Sequence, residues 1–223
     1  MKITCHLLLA IFCLSFTPCK AQSYFKNSLE LNSDFGLSTN LDSRGRFGTF
    51  TFSDLLLITE QSSVRTRNYS IGYTRLFNRF NGLKLSIGRS VFGFSYQGIF
   101  VVNEEQTFGD YRVSFLEFGL SYLRRFLITK DAVFLFEPGI RYYSDPFVRN
   151  GLLSIFFKNS LSTSLYSGIE LPLNNNNIFL NAGIQVKLPL SRYNHAFGDS
   201  SPFRPIFVGI KLGINIQFGR SSD

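Results

Sequence analysis

Residues 206–218 alternate without a break. Ile206, Val208, Ile210, Leu212, Ile214, Ile216 and Phe218 interleave with Phe207, Gly209, Lys211, Gly213, Asn215 and Gln217. A period of two places the first set on one face of a β-strand and the second on the other. At about 3.3 Å per residue such a segment reaches about 43 Å, enough to cross hydrocarbon at the tilt of a barrel strand.

The same pattern recurs seven times. Residues 178–190 set Ile178, Leu180, Ala182, Ile184, Val186, Leu188 and Leu190 against Asn181, Gly183, Gln185 and Lys187. Residues 161–173, 132–144, 111–124, 83–96, 65–77 and 27–38 behave alike, the last with Leu29, Leu31, Phe35 and Leu37 opposite Glu30, Asn32, Asp34 and Gly36. One segment threatens to lose phase. In 83–96, strict alternation after Leu83, Leu85 and Ile87 sends Arg89 to the apolar side, and an arginine at mid-membrane costs about 2–4 kcal/mol. A bulge at Gly88 is therefore expected, turning Arg89 inward and Phe92, Phe94 and Tyr96 outward.

Between these segments, the links 78–82, 126–131 and 174–177 are short and rich in turn residues, whereas 39–64, 97–110, 145–160 and 191–205 are long and polar. Short and long connections alternate as in an outer-membrane barrel, with tight periplasmic turns and longer outer loops. The predicted fold is all-β, an antiparallel transmembrane β-barrel of about eight strands. Residues 47–58 (FGTFTFSDLLLI) leave ten strands open, or else extend the first outer hairpin. A soluble lipocalin-like barrel is the rival. Its solvated face would carry long charged side chains, but here the polar face is mostly Gly, Ser, Asn and Thr.

The amino terminus fits export. Lys2 precedes an apolar run from Leu7 to Phe16, and Ala21 precedes a polar start, the layout of a signal peptide. Cleavage after Ala21 divides the chain into a signal peptide (1–21) and a barrel domain (22–223). Cys19 invites a lipoprotein reading, but Phe16, Thr17 and Pro18 before it are not the small residues such processing wants. Cys5, Cys13 and Cys19 all lie in the leader, so the mature chain has no thiol. With His195 its single histidine, neither a metal site nor a cofactor is expected. Losing Lys2 and Lys20 takes the formal net charge from +8 to +6. For an exported chain that favours anionic lipid or lipopolysaccharide, and no nucleic acid, as the partner. The 26 Phe and 44% hydrophobic content, with no apolar helical segment, fit a membrane-facing sheet.

Collecting charges on the small-residue face gives Glu30, Asp34, Glu117, Glu137 and Glu170 against Lys84, Arg89, Arg141, Lys187 and Lys211. A barrel this narrow is filled by side chains, and buried charges must be paired. The expected result is a salt-bridge network that plugs the lumen. The alternative is a small pore or gated channel in which the pairs exchange partners. His195, with Ser191, Asp199 and Ser200 nearby, is a weak catalytic candidate for a lipid-acting barrel hydrolase; a solvated loop histidine is the preferred reading and no enzymatic activity is expected. Arg44, Arg46, Arg65 and Arg67 flank the first outer loop and are candidates for binding lipopolysaccharide phosphates, which suit arginine forks. Asn174 to Asn177 suit a turn that needs left-handed backbone. Phe77, Phe80, Tyr122 and Phe126 belong to an aromatic girdle at the periplasmic side, one without tryptophan.

With its leader, the EPGIRY segment (137–142) and the closing GIKLGINIQF (209–218), the chain resembles small outer-membrane barrels of the OmpA-like and PorT-like kind of Bacteroidota. The resemblance implies an outer-membrane barrel with a role in envelope integrity, adhesion or secretion-system support, and no particular one of these. The chain is expected to be assembled by the barrel-assembly machinery and to work through outer loops or within an envelope or secretion-system assembly. Phe218 resembles the terminal aromatic read by that machinery, although Gly219 to Asp223 follow it.

Overall fold

A computed structural model describes residues 25–40, 50–53, 56–100, 103–129, 132–148, 160–173, 177–190 and 205–220, and these form nine strands. The strands are β1 (Phe25–Asn40), β2 (Phe50–Ser53), β3 (Leu56–Leu76), β4 (Asn81–Phe100), β5 (Gln106–Leu127), β6 (Val133–Val148), β7 (Ser160–Pro172), β8 (Ile178–Pro189) and β9 (Pro205–Arg220). Each barrel strand pairs antiparallel with its neighbours, and β1 pairs with both β9 and β3, which closes the sheet. Among the described residues β2 pairs only with β3, so Phe50–Ser53 and residues 56–58 extend the first hairpin and the barrel has eight strands.

The two faces separate as the alternation demands. Leu29, Leu31, Ile71, Leu85, Leu120, Ile140, Ile169, Ile184, Ile210 and Ile214 point outward and are exposed, while Glu30, Lys84, Glu137, Arg141 and Lys211 point inward and are buried. Burial is thus inverted relative to a water-soluble protein, in which large apolar side chains fill the centre. Closure matters for the same reason: a sheet wearing an apolar exterior cannot expose unpaired edges to lipid.

The wall is uneven in height. β3, β4 and β5 hold 21, 20 and 22 residues, against 12 in β8. At about 3.3 Å per residue the tall side is about 70 Å of strand and the short side about 40 Å. The 97–110 segment, expected as a long loop, is mostly strand, since β4 runs to Phe100 and β5 begins at Gln106. The polar run Asn103 to Thr107 hid the pairing, which continues as far as Ile99 opposite Gln106. At the other end, Asn177 takes a positive φ of 67°, the left-handed backbone that asparagine tolerates.

The expected bulge at Gly88 is not there. β4 and β5 stay in continuous register, with Gly88 opposite Glu117, Arg89 opposite Leu116 and Ser90 opposite Phe115. Arg89 therefore faces outward, and Phe92 and Phe94 face the interior, where they are 1% and 0% exposed. Gly88 serves a close approach instead: a Cβ there would stand 2.2 Å from the Tyr69 carbonyl oxygen. The irregularity lies on the facing strand. Ser63 pairs with Phe94 and Tyr69 with Arg89, so β3 carries one extra residue between them.

Candidate functional site

The barrel interior holds three layers. In the middle, Lys84 on β4 contacts Glu30 on β1 and lies 3.1 Å from Glu137 on β6. Lys211 on β9 lies 3.6 Å from each of the same two carboxylates. Glu30, Lys84, Glu137 and Lys211 thus form a closed ring of alternating charge that ties four strands across the lumen. From Glu137 the network continues to Arg141 at 3.4 Å, to Glu117 at 3.6 Å from Arg141, to Lys187 at 2.7 Å and to Asp34 at 3.5 Å from Lys187. Four acids meet four bases, so the cluster is neutral, which is what burial of ionised groups requires.

Neutral groups serve several of the charged ones, while Asn32 Oδ1, Asp34 Oδ1 and Asn181 Oδ1 are buried without a hydrogen-bond partner among the described residues. Asn181 Nδ2 donates to Glu30 at 2.9 Å, the Ser90 hydroxyl donates to Glu117, and Arg141 Nε donates to Ser164 at 2.9 Å. The Lys211 ammonium also sits 4.3 Å from the centre of the Tyr166 ring, a cation–π geometry. The cavity left among Asn32, Asp34, Lys84, Glu117, Arg141 and Lys211 is about 10 Å³, the scale of a single water molecule.

Apolar layers cap the charges on both sides. Toward the end that carries the long connections, Phe92, Phe115 and Tyr143 meet edge to face, with centroids 5.2 to 5.9 Å apart, and Val113 and Phe207 are buried at the same end. Toward the opposite end, Leu76, Leu123, Val133, Leu135 and Tyr166 form a second buried cluster. Edge-to-face contacts favour this outer triad beyond the area it buries.

Of the ten sequence candidates for the interior, eight share the central cluster. Glu170 is buried nearer the opposite end, where it accepts from Arg125, from Asn215 at 2.7 Å and from Gln217 at 3.1 Å. Arg89 stands on the exterior, where its Nε donates to Ser114 at 2.6 Å. The physical reason is height. Arg89 follows Ile87, the last exposed large apolar residue on its face of β4, so its guanidinium emerges at the border of the apolar belt and not at its middle. Arg125 takes its place in the charge count. Its phase with Glu117, Gly119 and Ser121 is the signal that marks it as inward, and its position past Leu123 is what concealed it.

Arg65 and Arg67 are exposed on β3, and Arg67 lies 4.4 Å from the Phe35 ring and 5.0 Å from that of Tyr69. Arg44, Arg46, His195 and residues 1–21, expected to be a signal peptide, lie outside the described residues. At the short-turn end Phe77 and Phe126 are exposed, Phe80 and Tyr122 half-buried, and Arg124 stacks 5.3 Å from Phe126.

No family model matches the sequence, and no curated protein matches it either. Solved structures do match in shape. Neisserial surface protein A superposes with a TM-score of 0.52 at 11% identity, covering 89% of this chain and all of that one. The outer membrane protein OprG from Pseudomonas aeruginosa gives 0.50 at 11% identity, over 87% of this chain and 97% of its own. The chain has the fold of a small outer-membrane barrel. At these identities the likeness concerns the fold, and the interior network and exterior arginines stand on this chain's own geometry.

Proposed function

We propose that the protein is an integral barrel of a bacterial outer membrane, exported by a leader at 1–21, non-enzymatic, with a closed lumen. It works through its outer surface or as a component of an envelope or secretion assembly. The observation that carries this reading is the Glu30–Lys84–Glu137–Lys211 ring, which crosses the lumen between two apolar layers. A conducting path needs a continuous wet column, and here the charged layer is neutral, paired and capped. The belt of exposed Leu, Ile and Phe on every barrel strand supports membrane residence, because a contiguous apolar surface of that extent is not stable in water. The tall β4–β5 hairpin supports a role outside the bilayer, since its strands exceed what a hydrocarbon band of about 25 Å requires. The likeness to OmpA-like and PorT-like barrels of Bacteroidota belongs to the same proposal.

The test is purification from native membranes, under conditions that preserve assemblies. The protein is expected in the outer-membrane fraction, with gel mobility that changes on heating and with envelope proteins co-purifying through its outer surface. Recovery as a folded monomer in plain buffer would contradict the reading.

A further inference from the structure

We propose that the exterior of β3, β4 and β5 carries a binding site for the phosphorylated headgroup of an outer-leaflet glycolipid. This inference rests on the membrane-spanning reading above and joins Arg65 and Arg67, beside the first loop, to Arg89 and Arg112 on the next two strands.

On three adjacent strands the exterior apolar series gives way to arginine toward the end that carries the long connections. On β3 the exterior series Tyr73, Ile71, Tyr69 gives way to Arg67 and Arg65. On β4 the series Leu83, Leu85, Ile87 gives way to Arg89, and on β5 the series Leu120, Phe118, Leu116 leads past Ser114 to Arg112. The exterior residues on the outer halves of β7, β8 and β9 carry no charge among the described residues; there the positions are Leu161, Thr163, Leu165, Ile184, Val186, Leu188, Val208 and Ile210. The cationic border is therefore one-sided. It lies where hydrocarbon ends and headgroups begin.

The wall is also open at this place. The β3–β4 ladder is interrupted between Ser63 and Tyr69, and side chains take over its donors: the Val91 N–H bonds Asn68 Oδ1 at 2.8 Å and the Gly93 N–H bonds Ser38 Oγ at 3.0 Å. The resulting groove measures about 840 Å³ and is lined by Arg65, Arg67, Arg89 and Arg112, with Phe35 and Leu37 along its apolar side. Its one acid among the described residues is Asp110, which is engaged by Arg112 at 3.0 Å and by the Ser95 hydroxyl at 2.6 Å. No described carboxylate pairs with Arg65, Arg67 or Arg89. Two of these guanidiniums are held in place, Arg67 against Phe35 and Tyr69 and Arg89 by Ser114. Preset forks with open donors suit phosphate, and the adjoining apolar residues suit an acyl chain. A groove combining both at headgroup height fits a phosphorylated amphiphile better than a free ion.

The experiment uses the full mature chain in phosphatidylcholine vesicles, with Arg65→Gln, Arg67→Gln and Arg89→Gln made singly and together. Retention of bisphosphorylated lipid A is read by mass spectrometry after extraction. Incorporation into the vesicles, checked by flotation, tests the membrane reading separately. The triple variant is expected to insert and to retain lipid A about tenfold less than wild type, with dephosphorylated lipid A retained poorly by both. Arg75→Gln at the opposite rim is expected to change nothing. Equal retention by an inserted triple variant, or equal retention of dephosphorylated lipid, would overturn the proposal. So would displacement of lipid A by an equal concentration of inorganic phosphate, which would mark an ion site. Should the triple variant fail to insert, the single variants decide: each is expected to lower retention, and no change in any of the three would overturn the site.

Discussion

The guanidinium of Arg141 packs against Gly119, and a Cβ at that glycine would stand 1.7 Å from Arg141 Nη1. The missing side chain on β5 is what lets an arginine from β6 lie flat in a crowded lumen and reach both Glu117 and Glu137. Gly119→Ala is expected to displace Arg141 and to lower stability by about 1–3 kcal/mol, read as a shift in the urea unfolding midpoint in detergent. Combined with Arg141→Met, the same substitution is expected to cost far less. Additive losses in the double variant would show that the glycine matters for another reason.

Lys84 is the joint of the charge ring, touching Glu30 and Glu137 at once. Lys84→Met leaves both carboxylates buried with one cation fewer. A loss of about 3–5 kcal/mol in unfolding free energy is expected, as for one partner removed from a buried pair. A change within a few tenths would mean that water reaches the ring.

Phe92 and Phe115 can be located without background, because the sequence has no tryptophan. In vesicles with brominated acyl chains, Leu85→Trp is expected to be strongly quenched and Phe115→Trp and Phe92→Trp to be protected. Strong quenching at position 92 would instead support a bulge at Gly88 with that ring in lipid.

Much of this fold was legible from period two alone. β9 alternates without error because one face meets the apolar surroundings and the other a narrow interior, and that contrast survives in sequence. The same reasoning failed above Ile87. There the exterior face turns polar at the border of the belt while Phe92, Phe94 and Phe115 fill the lumen, so the two faces exchange character and the pattern suggested a phase slip. The inward charges could be named, yet not their partners. Which of them share a level depends on strand stagger around the barrel, and a linear sequence does not encode it. Arg125 was missed for a related reason: it pairs with Glu170 across β5 and β7, strands that are not neighbours in the sheet.

The outer aromatic layer gives a further expectation. Phe92→Ala removes one ring from the triad with Phe115 and Tyr143, and a loss of about 3–5 kcal/mol is expected from lost burial and the cavity left behind. The charge ring below it remains intact, so the variant is expected to stay non-conducting. Chemical unfolding and electrical recording on one preparation check both parts.

The closed lumen is tested most directly by planar-bilayer recording of the refolded wild-type protein, with insertion verified on the same sample by its heat-dependent gel mobility. A flat baseline, without discrete steps, is expected at either polarity. Reproducible ohmic steps from the wild-type chain would contradict it, because they would require a water-filled path through the Glu30–Lys84–Glu137–Lys211 ring.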